Sequence, residues 1–361
     1  MTRRPGPVTA AFAGHRFHIR TDDTFLIEQR GHLLSFAPYP DSAAPCGQHT
    51  EIRVRHSADL FHDRMARLRT APSRQVTPFR GEPYLLTNLG GVCWWRPHPE
   101  HLPQDHLYAK DAAGGLHVVL DPGADRGERY LMRVIREVVL RCAENRGWAL
   151  FHAAAAVVDE HGVLIAGPSG AGKTTVLTAL AAHRRAHLVA SDRAAVIEGA
   201  HSVVGVPISV RMARGTLAAI APHENLPPHE LLPASFGTTR KAACTPWDFA
   251  RAFAARVRGS APLSLLVLPQ LSDDRREVHA EFLPAEMARD LLAAVCCTPH
   301  DEDWQHPWFA DRTRSLDSLS GQAADVVRDL VAKVPVIAVS AGVHTPQLLE
   351  RLADAVTRRL T

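Results

Sequence analysis

The nine residues Gly167-Pro168-Ser169-Gly170-Ala171-Gly172-Lys173-Thr174-Thr175 constrain this chain more than any other stretch. They fit the Walker A pattern G-x-x-x-x-G-K-[ST], and they fall between the apolar run Val163 to Ala166 and a helical pattern over Lys173 to His183. Within that pattern Val176, Leu177 and Leu180 point inward. Small residues let the backbone curl until its N–H groups converge on an anion, and the helix behind them adds its positive end. The expected occupant is the phosphate chain of a nucleotide, ATP in the first instance. Lys173 would neutralise the β- and γ-phosphates, and Thr174 would hold Mg²⁺ through its hydroxyl. The plainer alternative is a glycine turn with no ligand.

Two residues outside the loop are expected to join it. Phe151 to Val158 reads as a strand, Asp159 to Gly162 as a turn and Val163 to Ala166 as the partner strand. Pairing residue 158 with 163 and continuing the register sets His152 beside Ser169. An imidazole there can orient an acceptor or take its proton, unless it is simply a half-buried histidine at a strand end. Asp192 follows Leu188-Val189-Ala190, at the carboxyl end of a further strand, where ligands gather in α/β sheets. It can bind Mg²⁺ or act as base toward a hydroxyl, or it can merely cap a turn. The strand Leu263 to Leu268 runs into Pro269-Gln270 and shows no acid of Walker B type. Arg211 with Arg214, and Lys241 with Arg240, are candidates to meet a phosphate or an acidic substrate, the alternative being solvated loop cations.

The rest of the chain divides at Asp121-Pro122-Gly123. Before it, Phe17 to Ile19, Phe25 to Glu28, Leu33 to Phe36 and Leu116 to Leu120 read as short strands between Pro and Gly. A β-rich domain over residues 1–127, with a role in substrate recognition, is expected. Trp94-Trp95, near Arg96 and His98, is either an aromatic platform for a ligand or a core cluster. After the break, Tyr130, Leu131, Val134, Ile135, Val138, Val139 and Cys142 recur at helical spacing, so the second domain is taken as 128–361. It alternates further strands at Ala195 to Ile197 and Val334 to Val339 with helices at Ala285 to Val295, Gln322 to Ala332 and Pro346 to Arg359, and is therefore α/β. The Pro-rich stretch His223 to Phe236 is expected to be irregular.

Composition removes several classes. A net charge of +3 over 361 residues does not suggest nucleic acid or an anionic membrane as partner. No run approaches the length of a membrane span, and the apolar stretch near Met1 is too short for a signal-peptide core. The six cysteines form no C-x-x-C pair, so a cytoplasmic protein with reduced thiols is expected. Leu319-Ser320-Gly321-Gln322 lacks the acidic strand that a transporter ATPase needs after it, and no Asn-Lys pair is present to read guanine.

Taken together, Phe151-His152-Ala153-Ala154-Ala155-Ala156-Val157-Val158, Gly162-Val163-Leu164-Ile165, the loop and Leu188-Val189-Ala190-Ser191-Asp192 resemble the HPr kinase/phosphatase family. His152, fifteen residues before Gly167, holds the place of that family's histidine. Val204-Gly205-Val206-Pro207 with Arg211, the apolar strand near Leu266, and Val334-Pro335-Val336 extend the resemblance over roughly Arg129 to the C-terminus. It implies an α/β fold with a P-loop domain of the HPr kinase and phosphoenolpyruvate carboxykinase type, behind a smaller β-rich N-terminal domain. It further implies an ATP- and Mg²⁺-dependent kinase acting on a hydroxyl of a peptide or protein Ser/Thr, or of a small metabolite. Some members assemble into rings, so a homo-oligomer is compatible with it, and some run the reaction backwards with inorganic phosphate. Asp192 matches one of the family's two adjacent acids, but Ser191 stands where the other is expected. That departure keeps a catalytically impaired, nucleotide-binding regulatory or scaffold protein as the alternative.

Overall fold

A computed structural model describes residues 8–12, 15–21, 49–124, 128–197, 199, 201–206, 208–238, 240–301, 303–304 and 306–360. They form a mixed α/β protein with several sheets, in two compact units. Among the described residues the first unit holds those up to Asn145 together with 300–313, and the second holds Arg146–Pro299 and the chain from Arg314 onward. The strands expected at Phe25 to Glu28 and Leu33 to Phe36 lie outside the described residues.

In the first unit, β1 (Val8–Phe12), β2 (His15–Thr21), β3 (His49–His56), β4 (Arg74–Phe79), β5 (Glu82–Leu89), β6 (Val92–Pro97), β7 (His106–Lys110) and β8 (Leu116–Leu120) form one sheet. Its order is β1-β2-β3-β8-β7-β6-β5-β4, with β3 parallel to β2 and β8 and the other neighbours antiparallel. Gly90 and Gly91 close the β5–β6 hairpin at φ of 61° and 76°, the left-handed pair that a two-residue turn needs to match strand twist. Helix α1 (Ala58–Thr70), absent from the sequence reading, starts at Ser57, whose hydroxyl accepts from Leu60 N–H. It buries Phe61, Met65 and Leu68 against Trp94, Leu107 and Val119. Trp94 therefore serves the core. Trp95 packs edge-on to Trp308 and Phe309 and forms one wall of a cavity of about 410 Å³.

Helix α2 (Glu128–Asn145) falls in the first unit. Its apolar face is buried as anticipated, but Glu137, Arg141 and Glu144 on the same helix are also buried. Glu137 accepts from the backbone N–H groups of Trp308, Phe309 and Ala310 at 3.1–3.2 Å. Arg141 donates to Glu137, to Glu144 and to the carbonyls of Trp304 and His306. Arg312 adds two bonds to Glu144. These bonds hold 300–313 within the first unit, so a segment far along the sequence belongs with the N-terminal sheet. Burial pushes the Glu137 carboxyl up, and Arg141 and the three N–H donors oppose the shift.

The second unit contains α3 (Lys173–Arg184), α4 (Arg214–Ala218), α5 (Pro246–Ala252), α6 (Ala285–Ala293), α7 (Leu316–Lys333) and α8 (Leu348–Thr357). Its strands are β9 (Ala149–Phe151), β10 (Ala153–Val158), β11 (His161–Ala166), β12 (His187–Ala190), β13 (Ala194–Ile197), β14 (Ser202–Gly205), β15 (Val210–Met212), β16 (Ala242–Cys244), β17 (Ser260–Ser272), β18 (His279–Phe282) and β19 (Val336–Gly342). The main sheet runs β12-β10-β11-β17-β14-β13-β9, with β19 parallel to β17 and β18 beside β19, while β15 and β16 pair separately. Alternate residues of β11 serve opposite faces. Val163 and Ile165 pack with Val176, Leu180 and Leu352 from α3 and α8, whereas Leu164 and Ala166 pack with Leu292, Val327 and Leu330 from α6 and α7. A strand covered on both sides must be apolar throughout, which is why this run was legible. Each fully buried Val, Leu or Ile contributes roughly 1.5–3 kcal/mol.

The register of β10 and β11 differs from expectation. Val158 pairs with His161 and Ala153 with Ala166. The turn is only Asp159-Glu160, both left-handed at φ of 47° and 67°. Helix α7 begins six residues earlier than anticipated because Ser315 caps it, accepting from Ser318 N–H at 3.2 Å. Leu319 to Gln322 thus lies inside a helix. The stretch His223 to Phe236 is irregular apart from a short 3-10 turn at His229–Leu231. No helix among the described residues is long and apolar enough to cross a membrane.

Candidate functional site

Strand β12 is antiparallel to β10, which is antiparallel to β11, and β11 is parallel to β17. The ends of β11, β12 and β17 and the start of β10 therefore lie on one edge of the sheet. The Gly167–Thr175 loop leaves β11 there, His152 precedes β10 there, and Ser191-Asp192 follows β12 there. Backbone bonds join the three: Gly167 N–H donates to His152 O at 3.3 Å, and Ala153 N–H donates to Asp192 O at 3.2 Å. The tighter turn places His152 opposite Gly167, the first residue of the loop, and not beside Ser169.

His152 occupies the break between β9, which pairs with β13, and β10, which pairs with β11 and β12. Its N–H donates to Val295 O at 2.9 Å. The side chain projects to the site, where Nε2 stands 3.1 Å from Asp192 Oδ1. Arg193 donates to Asp192 Oδ2 at 3.1 Å. The Arg193 side chain is buried and that of Asp192 is 40% exposed, so a hidden cation holds a carboxylate that faces solvent. Nothing in the sequence separated Arg193 from the chain's many other arginines.

Lys173 opens α3, with Gly172 before it at φ of 108°. Only glycine fits there, because an added Cβ would lie 2.5 Å from Leu271 Cγ. Leu271 N–H also donates to Ala171 O at 3.2 Å, so the far end of β17 braces the loop. The Lys173 ammonium donates to Gly167 O at 2.7 Å and Pro168 O at 2.9 Å. Burial pushes it down to about 8; Asp192 opposes that shift, while Lys241 and Arg193 reinforce it. Lys241 is likewise lowered by burial and by Arg211, and Asp192 opposes. Arg211 on β15 and Lys241 just before β16 thus share one electrostatic neighbourhood with Asp192 and Lys173.

Thr174 and Thr175 sit in the first turn of α3, half-buried. Thr175 Oγ1 is 2.9 Å from Thr216 Oγ1 and fastens α4 to the loop helix. Arg214 donates to Leu232 O and so ties down the irregular segment. Arg240 is exposed, with its backbone N–H on Thr238 Oγ1. Ser191 is buried, and its hydroxyl is within reach of Ile208 O at 3.3 Å and Ser209 O at 3.2 Å. An ionised acid at this position would face two carbonyl oxygens with no proton to offer. Pro207 lies outside the described residues. Beyond Pro269-Gln270, Asp273 pairs with His344, and Asp274 accepts from Ser272 and Arg276, so both acids organise the β17 exit.

The arrangement provides a curled loop at a helix N-terminus, a buried lysine, and an imidazole–carboxylate pair beside them. No protein-family model matches the chain, and no curated protein matches it.

Proposed function

We propose that this protein is an ATP-dependent phosphotransferase, with a P-loop domain of the HPr kinase and phosphoenolpyruvate carboxykinase type. The observation that carries the reading is the His152–Asp192 pair, 3.1 Å apart on the sheet edge from which the Gly167–Thr175 loop departs. The N–H groups of the loop and the first turn of α3 receive the phosphates, and Lys173 exchanges its two carbonyl partners for phosphate oxygens. The Thr174 hydroxyl and the Asp192 carboxylate are hard oxygen donors that suit Mg²⁺ and would hold it. The bound ion would neutralise charge on the β- and γ-oxygens. Asp192, oriented by His152 and Arg193, takes the proton as the acceptor oxygen attacks the γ-phosphorus and ADP departs. Arg211 and Lys241 offset charge at the acceptor side. The acceptor class is a hydroxyl of a peptide or protein Ser/Thr, or of a small metabolite.

The test is incubation of the protein with Mg-ATP and each candidate acceptor, followed by intact mass for one added phosphoryl group. Lys173→Ala should abolish the addition, and retained transfer in that variant removes the proposal. Ser191 favours a second reading. Its hydroxyl is committed to the 208 and 209 carbonyls, so no second acid stands beside Asp192. Tight Mg-ATP binding without transfer to any acceptor would assign the protein a regulatory or scaffold role.

A further inference from the structure

The turn His98-Pro99-Glu100-His101 of the first unit is the one group of three metal-ligating side chains found among the described residues. One ligand atom from each of His98, Glu100 and His101 lies within 4.8 Å of the others. The backbone enforces this. His101 and Leu102 N–H both donate to His98 O, at 3.1 and 3.0 Å, closing a single helical turn that sets side chains three apart on the same side. The two rings are 4.8 Å apart between centroids.

The turn is also tied at both ends. His98 N–H donates to Pro83 O at 3.1 Å, and Gln104 Nε2 donates to Pro97 O and Leu102 O, both at 3.1 Å. Pro97, Pro99 and Pro103 restrict the backbone further. His98 Nδ1 accepts only a long 3.4 Å bond from Glu100 N–H, which a metal ion can displace.

We propose that His98, Glu100 and His101 form a binding site for a divalent transition-metal ion of the zinc type. Two imidazoles and one carboxylate suit Zn²⁺, Co²⁺ or Ni²⁺ better than Mg²⁺. Donors around a tetrahedral zinc lie about 3.4 Å apart, so ligand atoms already within 4.8 Å of one another need only a small further approach. Half-exposed His98 and exposed Glu100 and His101 leave the remaining coordination positions to water or an outside ligand. The proposal does not depend on the phosphotransferase reading.

The test is Co²⁺ titration of the full chain by its visible absorption, with Zn²⁺ as competitor. The wild type is expected to bind one saturating equivalent that Zn²⁺ displaces. His98→Asn or His101→Asn should weaken binding roughly tenfold or more, and Glu100→Gln by a smaller factor. Lys173→Ala should bind as the wild type does. Absence of saturable binding overturns the proposal, and so does unchanged affinity in the double His98→Asn, His101→Asn variant, its fold verified by circular dichroism.

Discussion

His152 Nε2 and Asp192 Oδ1 stand 3.1 Å apart although forty positions separate them in the chain. The contact exists because β10 lies between β11 and β12, so the residue before β10 and the residues after β12 reach the same edge. If the pair accepts the proton of the attacking hydroxyl, removing the imidazole should slow chemistry without emptying the nucleotide site. His152→Gln is expected to lower kcat by roughly 100-fold with the KM for ATP little changed. Steady-state kinetics check this, and an unchanged kcat would leave His152 a strand-end residue.

Burial disfavours the charged form of Lys173 and pushes it down to about 8. Under the proposed function a triphosphate favours that charged form, so ATP binding should take up a proton above pH 8 and weaken by up to about tenfold per pH unit beyond it. Stability runs the other way. The folded pKa lies below the unfolded value, so the unfolded chain holds more protons between about 8 and 10.5, and this group's penalty on folding is relieved as pH rises through that window. Calorimetric titration in two buffers of different ionisation heat reads the proton uptake directly. Constant affinity from neutral to strongly alkaline pH would show that Lys173 does not meet the phosphates.

Gly172 and Gly170 make a controlled comparison. Both have positive φ, 108° and 85°, but a Cβ on Gly170 meets nothing within 4 Å, whereas one on Gly172 strikes Leu271. Gly170→Ala should cost about 1–2 kcal/mol of backbone strain. Gly172→Ala should cost more and should also displace the loop from β17, which under the proposed function lowers nucleotide affinity. Thermal unfolding and ATP titration of the two variants separate strain from collision.

Much of this edge was legible in the sequence because its physics is local. Gly167 to Thr175 announces a turn between strand and helix, and the doubly covered run Val163 to Ala166 of β11 must be apolar at every position. His152 was placed near the loop for a sound reason in the wrong register, since the sequence did not reveal that Asp159 and Glu160 would both adopt left-handed φ. Arg193, Leu271 and the partners of Ser191 were not legible, because each acts through a contact distant in sequence. The same holds for 300–313. Its place in the first unit depends on Glu137 and Glu144 of α2, acids far from it in the sequence.

Ser191 supplies a test of the departure from the resembled family. Its hydroxyl has two carbonyls of one loop within reach, so Ser191→Ala should cost about 1–2 kcal/mol. Ser191→Asp should destabilise further and, under the proposed function, should not raise the rate of phosphoryl transfer, since the new carboxylate meets carbonyl oxygens. Chemical denaturation and the transfer assay measure both effects. Faster transfer by the Ser191→Asp variant would mean that a second acid can be accommodated and used.

Arg141 bears on the first unit alone. Its guanidinium has no exposure, and it answers two buried carboxylates and two backbone carbonyls. Replacing it by methionine keeps much of the apolar volume but leaves Glu137 without a cation, while Glu144 retains Arg312. Breaking a buried pair from one side typically costs about 3–5 kcal/mol, because a charge remains in a medium that cannot solvate it. Arg141→Met is therefore expected to lose stability in that range. Glu137→Gln, which keeps one acceptor oxygen for the 308–310 N–H groups, should lose less. Trp304 and Trp308 flank the Arg141 and Glu137 contacts, so tryptophan fluorescence during urea unfolding reports on this region. If Arg141→Met lowered stability by less than about 1 kcal/mol, the buried charges would not be what holds 300–313 to α2.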